Sequence, residues 1–177
     1  NQPEILIWNL TRLAETLIKF VDPDKEKAIE ILTEKVHGIQ PLYETYWLAG
    51  MRSKIGLSKE DSNDQKLVND LLRVMEEEHA DFTLVFRRLS QVLRGDSEPV
   101  RNLFEEPAAF GDWEQRWRKR LEQDGIAEDT VAQMMDKVNP VYIPRNHKVE
   151  EALDAAVDGK DMMPFTKLLA VLTNPFK

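Results

Sequence analysis

Apolar residues recur at three- and four-residue spacing along almost the whole chain, the pattern of helices with one inward face. Pro3 suits the first helical position, and Ile5, Trp8, Leu10, Leu13, Leu17 and Ile18 then draw a first stripe. Asp22-Pro23-Asp24 ends that helix and starts a second, whose stripe is Ala28, Ile29, Leu32 and Val36. Gly38 and Pro41 mark a break; residues 42–55 read as helical up to Gly56, and 58–64 as a polar connector. Leu67, Val68, Leu71, Leu72 and Met75 form a third stripe, and Phe82, Val85, Phe86, Leu89 and Leu93 a fourth, stopped by Gly95. A short segment at 100–104 precedes Pro107, after which Trp113, Trp117 and Leu121 share one face up to Gly125. Helical pattern over 130–138, 147–157 and 165–172 completes the set. No strand alternation, internal repeat or low-complexity tract interrupts it. The pattern predicts an all-α fold, a multi-helix bundle of about eight helices forming a single helical domain over residues 1–177.

Two local features sharpen this picture. Ile5-Leu6-Ile7-Trp8 are consecutive apolar residues, more than one helical face needs. They predict either a helix buried within the chain or a patch that drives self-association or docking onto a neighbouring domain. Residues 139–147, Asn139-Pro140-Val141-Tyr142-Ile143-Pro144-Arg145-Asn146-His147, read as a helix stop, an extended connector and a helix start. Asn146 is the expected cap of the helix that follows, with Glu150 and Glu151 in or near its first turn.

Composition narrows the function classes. With 42% hydrophobic and 32% charged residues, the chain is neither disordered nor membrane-spanning in composition, and it has no apolar run long enough to cross a bilayer. A net charge of −8 argues against nucleic acid or an anionic membrane as the main partner. The absence of cysteine excludes disulfides and thiolate chemistry within these residues. A cytoplasmic location is the expectation. The first residue is Asn1 rather than methionine, so a piece or processed form of a longer protein is expected.

The residues offer little chemistry of their own. The seven glycines are scattered singly, and none builds a phosphate loop. Lys54, in Met51-Arg52-Ser53-Lys54-Ile55-Gly56-Leu57, reads as a charged helix C-terminus with Gly56 as its cap. Glu34/His37 and Glu76/His79 have the Glu-x-x-His spacing of di-iron bundles, but both glutamates project away from their apolar stripes. Asp22-x-Asp24-x-Glu26 and Asp61-x-Asn63-x-Gln65 lack the glycine and distal glutamate of a calcium loop and read as turn and cap residues. Arg116, Arg118, Lys119 and Arg120 around Trp113 and Trp117 could suggest nucleic-acid recognition. A buried tryptophan face with a solvated charged face explains them better. No residue is assigned a catalytic, cofactor-binding or metal-binding role.

As a string, residues 139–147 closely resemble part of the selenoprotein O family, and the resemblance extends through Glu150-Glu151-Ala152-Leu153 to Asn174-Pro175-Phe176. Asn1-Gln2-Pro3 with Trp8-Asn9-Leu10 and Arg12-Leu13-Ala14 is similar to a further family block, as is Met51 through Leu57. Leu71-Leu72, Ala80-Asp81-Phe82-Thr83 and Phe86-Arg87-Arg88-Leu89 supply another. The resemblance implies a parent enzyme with a kinase-like, pseudokinase fold that binds ATP in reversed orientation. Such an enzyme transfers AMP to hydroxyl side chains of other proteins, with ATP and Mg²⁺ as its expected cofactors. The family's nucleotide-binding and metal-binding motifs match no residue here, so none is carried over. The chain is expected to be the C-terminal helical region of that larger protein, inactive alone, with the N-terminal kinase-like portion as its partner. The parent's protein substrates would be further partners. Some family members carry a redox-active tail with cysteine or selenocysteine, which nothing in this sequence matches. The alternative is a stand-alone helical protein-interaction module.

Overall fold

Helix-forming sequence and well-placed stop signals give ten helices and no strand among the described residues, so the expected all-α class stands. The computed structural model describes residues 2–177, and of Gln2 only the backbone; Asn1, part of the first family-like block, lies outside the described residues. Where the sequence suggested one helical domain, the backbone clusters into two compact units, residues 1–50 and 51–177.

The first unit holds α1 (Gln2–Val21), α2 (Lys25–His37) and most of α3 (Ile39–Lys54). Asp24 caps α2, its carboxylate accepting from the Glu26 and Lys27 N–H groups, as the Asp-Pro-Asp sequence predicts. Gly38 caps the far end of α2, and α3 starts at Ile39, earlier than the Pro41 break suggested. Packing of α1 on α2 half-buries Ile7, Leu10, Ala14 and Ile18, residues at helical spacing. Of the stripe read from the sequence, Leu10 and Ile18 lie on this face, whereas Ile5, Trp8, Leu13 and Leu17 are exposed. Only Ala28 is buried among the described apolar residues of this unit.

The second unit has a substantial core. It comprises the last turn of α3 and α4 (Asp64–Glu77), α5 (Phe82–Leu93), α6 (Glu98–Arg101), α7 (Pro107–Asp124), α8 (Glu128–Val138), α9 (Asn146–Val157) and α10 (Met163–Leu172). Helices α4 and α7 pack together, α5 packs on α8, and the single turn α6 bridges α5 and α7. Trp113 and Trp117 are fully buried and stacked, 5.3 Å between ring centroids. Each indole N–H is satisfied: Trp113 donates to the Leu67 carbonyl at 2.9 Å and Trp117 to the Ile55 carbonyl at 2.8 Å. The two tryptophans therefore act as polar rivets as well as core.

Gly56 ends α3 in the left-handed region (φ 78°), and Leu57 N–H reaches back to the Arg52 carbonyl in a Schellman arrangement. A Cβ there would lie 2.4 Å from a Val131 methyl, so the turn and its close approach to α8 both require glycine. At the other end of the unit, α9 and α10 pack as a pair. Asn146 is the first residue of α9 rather than its cap; extended Arg145 holds the cap position without a side-chain cap bond. Glu150 and Glu151 fall beyond the first turn, and Glu151 pairs with Lys148 instead.

Candidate functional site

Glu34, His37, Glu76 and His79 are all exposed, the two glutamates as their angular positions predicted. Asp22 and Asp61 accept hydrogen bonds from backbone N–H groups two residues on, the geometry of turn residues. The three arginines around the tryptophans are engaged: Arg116 pairs with Asp70, Arg118 with Glu114 and Glu128, and Arg120 with Asp64 and Asp124.

Sequence reasoning missed the polar centre of the second unit. Asp64, wholly buried at the start of α4, accepts from Arg52 Nε at 2.7 Å and Arg120 Nε at 2.8 Å. Arg120 also reaches Asp124 at 2.6 Å and the Lys59 carbonyl at 2.8 Å. Asp124 in turn accepts from the Ser58 and Lys59 N–H groups and the Ser58 hydroxyl. Burial pushes the Asp124 carboxyl up, but the Arg120 bond and the Ser58 and Lys59 N–H donors outweigh it, leaving it at about 2. Two guanidinium groups and two carboxylates thus neutralise one another and tie the 58–64 connector to α4 and α7. The network fixes structure; every strong donor already has its acceptor.

The first unit presents a different kind of surface. Ala14 and Ile18 of α1 and Ile29, Leu32 and Val36 of α2 line a groove of about 450 Å³ whose lining also includes Glu15, Lys25 and His37. Elsewhere on α1, Trp8 is 61% and Phe20 84% exposed, with Ile5 and Leu6 also open. No helix among the described residues is long and apolar enough to cross a membrane.

Fold and surfaces together define an all-α chain with one self-sufficient core and one largely open helical unit. A family model described as protein adenylyltransferase SelO matches residues 1–173, and the chain belongs to that family. The chain is similar to the protein nucleotidyltransferase YdiU of Rhodopseudomonas palustris strain BisB5, 47% identical over 182 residues, covering all of this chain and 36% of that protein. The YdiU protein of Agrobacterium fabrum is 41% identical over 177 residues, again covering all of this chain and 36% of the relative. That of Cereibacter sphaeroides is 45% identical over 176 residues, 99% of this chain and 35% of the relative. The chain thus spans about a third of the length of the curated relatives it matches. That share gives length without position, and the C-terminal placement expected from the sequence is withdrawn.

Proposed function

We propose that this chain is a helical region of a longer protein adenylyltransferase that moves AMP from ATP to hydroxyl side chains of other proteins. The observation that carries the reading is the family match over residues 1–173, with identities of 41–47% spread along the whole chain in the relatives above. In this reading the ATP- and Mg²⁺-binding residues belong to a kinase-like, pseudokinase portion of the parent, and this chain contributes none of them. Phosphoryl and nucleotidyl chemistry needs positioned cations and donors, whereas the strong donors of the Asp64 network already serve one another. The partner of the open unit is the kinase-like portion of the same protein, seated on the groove between α1 and α2. A cytoplasmic setting, where ATP is supplied, completes the reading.

Titration calorimetry of the 177-residue chain with ATP and Mg²⁺ tests the catalytic half: no saturable heat is expected. Saturable binding abolished by one point change in this chain would place nucleotide chemistry here and overturn the reading. Sedimentation of the chain mixed with the separately expressed kinase-like portion tests the docking half. Association is expected, and loss of it in Ile29→Ser, which lines the groove and is exposed, locates the contact. A chain that stays monomeric and shows no affinity for that portion favours the stand-alone interaction module instead.

A further inference from the structure

One helix belongs to both units. The 16 residues of α3 run without interruption, yet the boundary between the units falls inside it, between Gly50 and Met51. The two sides of that boundary are held very differently. Beyond it, Met51 and Ile55 are buried and Arg52 pairs with Asp64 at 2.7 Å. The Lys54 carbonyl accepts from Asn139 at 2.7 Å, and the Ile55 carbonyl from Trp117 at 2.8 Å. Before it, no residue of 39–50 is buried, and Leu42 and Tyr46 are exposed. The bonds of Gln40 with Glu44, and of the Thr45 hydroxyl with the Pro41 carbonyl, stay within the helix.

Gly50 stands at this change of support. Its backbone is helical, and a Cβ added there would meet no atom within 4 Å. Neither a left-handed turn nor a close approach therefore requires glycine, whereas Gly56 is needed for both. What glycine supplies inside a helix is a weak point: relative to alanine it favours the open backbone by a factor of about four to five.

We propose that α3 is built to open at Gly50 and serves as a hinge on which the first unit, residues 1–50, turns as a body. The helical bonds that cross Gly50 run from the N–H groups of 50–53 to the carbonyls of 46–49. Breaking them uncovers no buried side chain on the N-terminal side. On the other side the opening stops at Arg52, held by Asp64 and by the Leu57 N–H on its carbonyl. The groove between α1 and α2 rides on the turning body, so it can meet a partner without disturbing the tryptophan core. The hinge does not depend on the adenylyltransferase reading and stands or falls separately from it.

Because the chain has no cysteine, pairs of spin labels can be introduced cleanly. Lys35→Cys on α2 with Lys119→Cys on α7 reports across Gly50. Lys19→Cys with Lys35→Cys reports within the first unit, and Lys119→Cys with Lys137→Cys within the second; all four side chains are exposed. Pulsed electron paramagnetic resonance on the 177-residue chain should give narrow distances for both internal pairs. The pair across Gly50 should give a main distance with a spread of minor ones. Gly50→Ala should lower the minor population about four- to fivefold, and Gly50→Pro, which removes a helical bond, should raise it, with both internal pairs unchanged. A single narrow distance across Gly50 in the native chain, a distribution that either variant leaves unchanged, or a broad distribution for the Lys19–Lys35 pair overturns the proposal.

Discussion

Asp64→Asn isolates the charge of the buried network while keeping its shape. In the native chain Arg52, Arg120, Asp64 and Asp124 carry balancing charges, with Asp64 wholly buried and the two guanidinium groups mostly so. The substitution leaves a net positive cluster and turns an amide N–H₂ toward one guanidinium. Removing one partner of a buried pair costs about 3–5 kcal/mol. Arg52 keeps exposed Glu60 at 3.2 Å, and Arg120 keeps Asp124, which favours the lower end. At about 3 kcal/mol, and 2–4 °C per kcal/mol for a chain of this size, the melting temperature falls by roughly 6–12 °C. Asp64 also sits in the first turn of α4, where its charge faces the helix dipole. A double-mutant cycle with Arg120→Met separates that contribution, because it reports only the pairwise coupling. Urea melts followed by tryptophan emission suit the measurement, since Trp113 and Trp117 lie in the same unit. A loss under about 1 kcal/mol, or no coupling to Arg120, would show that water screens the network and that its burial has been over-read.

Two further outcomes follow from the same core. Trp117→Ala removes a fully buried ring, its stack on Trp113 and the donor to the Ile55 carbonyl; a denaturant melt should show a loss of about 3–5 kcal/mol, and an unchanged midpoint would refute its structural role. Asp124, held at about 2 against an ordinary 3.8, stabilises the fold fully above about pH 5 and loses that contribution, of order 2 kcal/mol, as pH falls through about 4 toward 2. Asp124→Asn should therefore show a shallower fall in urea midpoint across that window. Equal slopes in the two proteins would sink the assignment.

What was legible in the sequence was whatever short-range pattern determines. Trp113, Trp117 and Leu121 share a face because four-residue spacing stacks side chains, and burial followed. Asp24 and Gly56 were readable as punctuation because each meets a local backbone need. The face of α1 was not readable. That helix carries apolar residues on more than one face, so periodicity picked out Leu10 and Ile18 but could not choose Ile7 and Ala14 over Ile5, Trp8, Leu13 and Leu17. Asn146 was misplaced because the helix begins directly after Arg145, whose extended backbone makes the cap without a side chain. The buried network was invisible for another reason. Arg52, Asp64 and Arg120 lie far apart in sequence, and each alone looks like an ordinary surface charge. Attention to the Met51–Leu57 block fell on Lys54, whereas Arg52 makes the salt bridges to Asp64 and Glu60.

The two units also differ in what can hold them together. Residues 51–177 bury a pair of tryptophans, several aliphatic layers and a neutral ion network, enough for a cooperative core. Residues 1–50 bury Ala28 and little else, while Ile5, Trp8 and Phe20 remain open. Isolated helices and helix pairs gain little from propensity alone and depend on apolar burial for stability. The first unit is therefore the part whose order depends on being covered, and amide exchange there should be faster than in α4, α5 and α7. Binding energy from a partner would appear first as protection of α1 and α2, because a ligand stabilises the element it contacts in proportion to its occupancy.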